Sequence, residues 1–279
     1  MASGLITKRS NLVAVVISNL TNLYYPEVLA ELTLRLSDRG IRVLLFALQA
    51  ESDVDAMLDQ VWRYRVDGAI IAARLAPEQL REFAKRGVPV VLYNRFGEGE
   101  AVSSVCCDSV GGERQLVERL VASGHRSFGI ISGPADSYVS QERVQGALQR
   151  LQELGHKADV VDGAFDYDSG GRGLRELRER SGDVLDALIC ANDLMAIGAI
   201  DCARSEFGLS IPGDLSVVGF DGVAPARWAS YCVSTVRQPV GRMTEAAVMM
   251  VAERIQDFSL SPEVRTFAGS LVEGGSARF

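Results

Sequence analysis

Arg143, Phe165, the pair Asn192–Asp193, and Asp221 each follow a short apolar run in the second half of the chain. A guanidinium, an aromatic ring, an amide and a carboxylate are the groups that a small polyhydroxylated ring or a purine-like base would need around it. Arg143 stands about one turn into "SYVSQERVQGALQRLQELG", which reads as a helix. A cation there opposes the helix dipole, so its rigid fork is a candidate clamp for hydroxyls or a carboxylate; an ordinary surface arginine is the plainer alternative. Asn192 and Asp193 interrupt the apolar "ICANDLMAIGAI". They cap a helix, line a ligand site, or do both. Gly198 in the same stretch reads as a close approach of that helix to its sheet. Trp228 follows Asp221 in "GVAPARWASY". In the first half, "SNLTNLYYPE" sets Asn19, Asn22, Tyr24 and Tyr25 just before a helix. The two tyrosines either stack on a ligand or pack against that helix.

Catalytic and metal chemistry find little material. The two histidines, His125 and His156, each follow a glycine that ends a helix and read as turn residues. There is no GxSxG elbow. Asp193 and Asp221 are an acid–base pair in principle, but no activated nucleophile accompanies them. "SGGRG" after Phe165 lacks both phosphate-loop spacings, and Asp168 or Ser169 is the candidate cap of the helix there. The five cysteines form no CxxC pair and no zinc-like cluster with histidine. Cys106, Cys107 and Cys190 lie in apolar runs and read as buried thiols. The expectation is a non-enzyme with no catalytic residue, no metal and no cofactor.

The elements that must position these residues alternate regularly. β-type runs occur at 12–18, 41–47, 68–73, 88–94, 104–107, 128–133, 158–162, 187–191 and 215–220. Many are apolar on both faces, as in a parallel sheet covered by helices on both sides. Amphipathic stretches lie between them, and one opens near Pro26. Gly40, Gly87, Gly124, Gly155 and Gly208 stop successive helices just before the next run. This rhythm predicts an α/β fold of two Rossmann-like lobes, each with a parallel sheet of five or six strands. Ligands in such folds meet the carboxyl ends of the strands, where the residues above fall.

The chain has 279 residues and a formal net charge of −7. That charge is unsuited to gripping nucleic acid, which needs a concentrated basic face. No apolar run reaches the roughly 18 residues of a membrane span. The N-terminal "MASGLITKRSNLVAVVISNL" lacks a secretory cleavage site. A cytoplasmic protein is expected.

The ordered motifs "VDGAII", "VPVVLYNR", "DSVGG", "LVASGHRSFGIISGP", "RVQGALQRL", "ALICANDLMAIGAI", "IPGDLSVVGFD" and "STVRQP" resemble those of the lactose-repressor/galactose-repressor (LacI/GalR) family of bacterial transcription regulators, from about Leu5 to Val272. The resemblance implies a type I periplasmic-binding-protein fold whose lobes are joined by three crossovers, near Ser123–Arg126, Arg237–Gly241 and Phe258–Glu263. The expected parts are a hinge remnant at 1–11, an N-terminal lobe at 12–123 plus 241–258, and a C-terminal lobe at 124–237 plus 263–279. It also implies a small effector between the lobes, sugar or sugar-like first and purine second. The effector residues would be Tyr24, Tyr25, Arg143, Phe165, Asn192 and Asp221, and Asn19 and Trp228 join them from their places after apolar runs. A homodimer is implied, with operator DNA reached through a helix-turn-helix head that this chain lacks. The first loop departs from the family pattern, its proline following the aromatics. Gly222 also departs, standing where a second polar residue is common. A solute-binding protein of a sugar uptake system is the alternative.

Overall fold

The computed structural model describes residues 9–18, 20, 22–48, 53–97, 99–181 and 185–279. In chain order the regular elements are β1 (Leu12–Ser18), α1 (Tyr24–Ser37), β2 (Arg42–Leu48), α2 (Val54–Tyr64), β3 (Gly68–Ala72), α3 (Pro77–Lys85), β4 (Val90–Tyr93) and β5 (Ser103–Cys107). There follow α4 (Ser109–Ala122), β6 (Phe128–Ile131), α5 (Tyr138–Glu153), β7 (Ala158–Val161), α6 (Tyr167–Ser181), β8 (Ala187–Cys190), α7 (Asp193–Ser205) and β9 (Ser216–Asp221). A 3-10 turn (Ala224–Arg227), β10 (Ser234–Arg237), α8 (Val240–Gln256), β11 (Val264–Phe267) and β12 (Ser270–Val272) complete them.

The strands form two six-stranded sheets. The first has the order β11-β5-β4-β3-β1-β2, and β2 through β5 pair in parallel. The second has the order β12-β10-β9-β8-β6-β7. Its pairs are parallel except for β12, which runs antiparallel to β10. Strands β3, β4, β8 and β9 are buried at every residue, as expected for a sheet with helices on both faces. The predicted α/β architecture is therefore observed. Three short strands, β10 to β12, add to the nine read from apolar runs.

The helix stops behave as read: Gly40, Gly87, Gly124, Gly155 and Gly208 all have φ between +64° and +92°, a region that costs residues with a Cβ. Pro26, however, is the third residue of α1 rather than its first.

Two compact units divide the chain. The first is Met1–Leu20, Tyr25–Cys106 and Val240–Thr266; the second is Thr21–Tyr24, Cys107–Pro239 and Phe267–Phe279. The connection expected near Ser123–Arg126 instead lies at Cys106/Cys107. The reason is that α4 packs on α5, β10 and β12 of the second unit, so the whole helix goes with that unit. The last connection likewise lies at Thr266/Phe267 rather than near 258–263, because β11 completes the first sheet and β12 the second.

The core of the first unit includes Val16, Ile71 and Leu92 of the sheet with Met57 and Leu58 of α2 and Phe83 of α3. In the second unit the helices approach unusually closely. A methyl group on Gly170 would collide with the Met195 carbonyl, and one on Gly198 with the Tyr167 carbonyl. Gly198 thus brings α7 against α6, not against the sheet as its sequence suggested. Gly171 of "SGGRG" serves the same contact, whereas Gly173 lies on Ile131 of β6. They are packing residues inside α6, not a phosphate loop.

Candidate functional site

The site is built from residues that follow the carboxyl ends of strands in the second sheet. At its centre is Arg143, on the face of α5 turned to the core and 3% exposed. Nη1 donates to the Ala191 carbonyl at 2.6 Å, and Nη2 donates to Asp221 Oδ1 at 2.8 Å. The guanidinium lies 4.0 Å above the Phe220 ring, where the ring's negative face favours a cation. Burial opposes its charge, but the Asp221 and Glu113 carboxyls outweigh that and hold its pKa above the ordinary arginine value.

Asp221 ends β9 with φ 113°, a conformation rare for any residue with a Cβ. The turn this creates aims its carboxylate inward. Oδ1 also accepts from Gln238 Nε2 at 2.8 Å, and the Gln238 backbone N–H donates to the Asp221 carbonyl at 3.1 Å. Burial pushes the Asp221 pKa up, against the pull of Arg143 and Gln238.

Asn192 and Phe165 form a second linked pair. Asn192 caps α7: its Oδ1 accepts from the Met195 N–H at 2.9 Å. Its Nδ2 donates to the Phe165 carbonyl at 3.0 Å. Phe165 has φ 61°, which turns its ring onto the bare backbone of Gly133, where a Cβ would have no room. An amide has two donor hydrogens and two acceptor lone pairs, so Asn192 keeps one of each beyond these bonds. Asp193, by contrast, is no cap. Its Oδ2 accepts from the Val223 N–H at 2.8 Å and its Oδ1 from Thr235 Oγ1 at 2.6 Å. It pins the loop after β9 to β10. Burial, followed by the charge of Asp221, raises its pKa to about 7.

Asn19 falls outside the described residues. Tyr24 and Tyr25 are both buried in the first turn of α1. Trp228 is 60% exposed just beyond the 3-10 turn, and no described contact ties it to Arg143 or Asp221. The α6 cap is Asp166, whose Oδ1 accepts from the Ser169 N–H at 2.7 Å, rather than Asp168 or Ser169. His125 is buried, its ring nitrogens 2.8 Å from the Leu120 carbonyl and from Ser216 Oγ. It joins the end of α4 to β9, a larger role than that of a turn residue. Cys106, Cys107, Cys190 and Cys202 are buried and Cys232 is half-buried, none of them in a disulfide.

Gln238 and Glu113 were missed by sequence reasoning. Gln238 lies in "STVRQP", and its place at the end of β10 was the available signal. Glu113 gave no signal, because an acidic residue in a helix ordinarily faces solvent.

Among the described residues no group of three or more His, Cys, Asp or Glu is placed to hold a metal ion, and no helix is long and apolar enough to cross a membrane.

A periplasmic binding protein-like domain model matches residues 117–277. The transcriptional regulator CelR of Thermobifida fusca is 32% identical over 272 residues, covering 94% of this chain and 79% of that protein. The chain belongs to the LacI family of transcriptional regulators. The transcriptional repressor PurR of Yersinia enterocolitica is another relative, 30% identical over 257 residues, covering 90% of this chain and 75% of its own. Among solved structures, a CelR–cellobiose complex superposes with a TM-score of 0.87 at 31% identity, covering 96% of this chain and 85% of that one. A LacI-type regulator from a Rhodococcus species has a TM-score of 0.86 at 28% identity, with coverage of 95% and 98%. Both the fold and the family expected from the motifs are thereby established, and the uptake-system alternative falls away in favour of a regulator.

Proposed function

We propose that this LacI-family chain senses a small sugar-like effector at the carboxyl ends of its second sheet, and that effector occupancy changes the affinity of the regulator for operator DNA. The carrying observation is the buried Arg143–Asp221 pair, hydrogen-bonded to Gln238. Beside it, Asn192 has one donor and one acceptor still open. Adjacent hydroxyls of a sugar donate and accept at once, so a fixed array with both kinds of group suits them. The Phe165 ring supplies an apolar surface for the face of a sugar ring. The cellobiose bound in the CelR complex supports a sugar as the first candidate.

The groups bind but have no reaction to perform. Arg143 is held as a cation, Asp221 is engaged by two donors, and both histidines are used or packed elsewhere. The chain is therefore read as a sensor without turnover, working in the cytoplasm where operator DNA is. DNA contact would be made by a helix-turn-helix of the kind that gives its relatives their name. A homodimer fits this role. Exposed Trp228, Tyr167 and Phe207 and the Tyr231 hydroxyl, which shares Asp201 with Tyr167, supply aromatic surface of the kind found at interfaces.

A thermal-shift and calorimetric screen with cellobiose, glucose, sugar phosphates, polyols and nucleobases tests the reading, since a ligand selective for the folded state raises Tm. A saccharide should give the largest shift, and that shift should vanish in Arg143→Ala. A response to nucleobases alone would overturn the sugar assignment.

A further inference from the structure

Beneath the Arg143–Asp221 pair lies a carboxyl group that the proposed site does not use. Glu113, in the second turn of α4, is 1% exposed. Neither of its carboxyl oxygens has a hydrogen-bond partner, and neither does the buried Nε of Arg143. The two side chains come from helices in unusually close contact. A Cβ on Gly146, one turn beyond Arg143 on the same face of α5, would lie 2.9 Å from the Val110 backbone and 3.3 Å from Glu113 Cβ. The preceding Gly112 rests on the Phe220 ring, where a Cβ would be 2.8 Å away. The guanidinium of Arg143 lies 4.0 Å from the centre of the same ring. Glu113 is thus held beside Arg143 by two glycine contacts. The titratable and charged groups that act on it or are acted on by it are Arg143 of α5, Asp221 at the end of β9 and Cys190 of β8.

A buried carboxylate with no hydrogen bond is strongly disfavoured, and the group takes up a proton instead. Arg143 offers one positive charge to two carboxyls, and Asp221, with two donors on Oδ1, holds the better position. We propose that Glu113 is a standby counter-charge for Arg143: protonated while Asp221 holds the guanidinium, and ionised once Asp221 is neutralised or drawn to a ligand. In the second state the proton on the Glu113 carboxyl passes to solvent, and the carboxylate left behind balances Arg143. A ligand that draws Asp221 off the guanidinium therefore releases a proton. That last step rests on the effector reading; the exchange between the two carboxyls does not. The burial-raised pKa of about 8 at Glu113, opposed by Arg143 and assisted by Asp221, agrees with the geometry.

The test uses the ligand-free chain. Carboxyl carbons of Glu and Asp are labelled with carbon-13 and followed by NMR against pH, with the Glu113 signal assigned by its loss in Glu113→Gln. In the wild type Glu113 should be protonated at about pH 6. In Asp221→Asn its midpoint should fall by at least about one pH unit, a tenfold loss of proton affinity. Asn matches the shape of the Asp that adopts φ 113° here; Asp221→Ser, which also removes the anion, is the second variant should the first not fold. An ionised Glu113 at about pH 6 in the wild type overturns the proposal, and so does a midpoint unmoved by loss of the Asp221 charge. Independently, the ratio of unfolding constants of wild type and Glu113→Gln should change up to tenfold per pH unit between about pH 5 and pH 8. A constant ratio across that range also overturns it.

Discussion

Arg143 and Asp221 are joined by a 2.8 Å ion pair in which each side chain is only 3% exposed. Such a pair adds little net stability over an apolar replacement, but losing one partner strands the other as an unpaired buried charge. Arg143→Ala should therefore lower folding stability by about 3–5 kcal/mol and weaken effector binding by at least about 2 kcal/mol. Urea unfolding and calorimetry measure the two effects separately. Unchanged affinity would remove Arg143 from the site. The double variant Arg143→Met with Asp221→Asn should recover much of the lost stability without recovering binding.

Stability should fall as pH rises from weakly acidic to mildly alkaline. Asp193 has a folded pKa of about 7 against an ordinary 3.8, and Glu113 one of about 8 against 4.5. Both groups hold a proton more tightly when folded, so their contribution is complete below the ordinary values and is lost as pH rises through 7 and 8. Each group changes stability by on the order of 1.4 kcal/mol per pH unit between its two values. Glu153, lowered to about 2 chiefly by its hydrogen bonds from Arg114 and Arg150, acts below this window. Denaturant midpoints at pH 5 and pH 8 check the sign; a rise toward pH 8 contradicts it.

Asn192 performs two tasks that substitutions can separate. Asn192→Ala loses the α7 cap and the bond to the Phe165 carbonyl, and should cost about 1–3 kcal/mol. Asn192→Ser keeps a cap oxygen but cannot reach as a donor to Phe165. It should retain much of the stability while losing affinity for the effector, because Phe165 is no longer anchored. Equal losses of affinity and stability in the two variants would show that the bond to Phe165 alone matters and the cap contributes nothing.

Much of this layout was legible in the amino-acid sequence. Glycine stops and doubly apolar runs show the strand–helix alternation directly, because φ above zero and burial on both faces each restrict residue type. Arg143, Phe165, Asn192 and Asp221 stood out as polar or aromatic residues at strand ends. Other features depend on partners remote in the chain. Gly198 reads as a helix–sheet contact until Tyr167 is seen across from it. Glu113 reads as a solvated helical acid until Gly112 and Gly146 are seen to bury it. The placement of α4 with the second unit rests on its packing with α5, and no local pattern reports that.

Replacing Gly198 by alanine should destabilise the second unit although alanine is the better helix former by about 1 kcal/mol. The added methyl meets the Tyr167 carbonyl, which belongs to a helix backbone and has no flexible end to yield. Overpacking of this kind costs about 1–3 kcal/mol or more. A Tm at or above that of the wild type would show that α6 and α7 separate without loss.

Trp228→Glu should convert a dimer to monomers with little change in effector affinity, as the indole is exposed and not tied to the Arg143 cluster. Sedimentation velocity gives the assembly state and calorimetry the affinity. Lost binding in a variant that remains dimeric would return Trp228 to the effector site.

The amide of Asn192 that ties Phe165 to α7 also bears on how ligand preference can drift over generations. Its cap and its bond to the Phe165 carbonyl are required for the local backbone whatever ligand is present, so most replacements there are purged before any new ligand can favour them. The Phe165 carbonyl, being main chain, survives any exchange of the side chain that carries it. Ring, aliphatic and polar side chains can therefore be sampled at position 165 with the anchoring amide intact. New specificities would arise by changing what the tether holds out, while the tether itself persists.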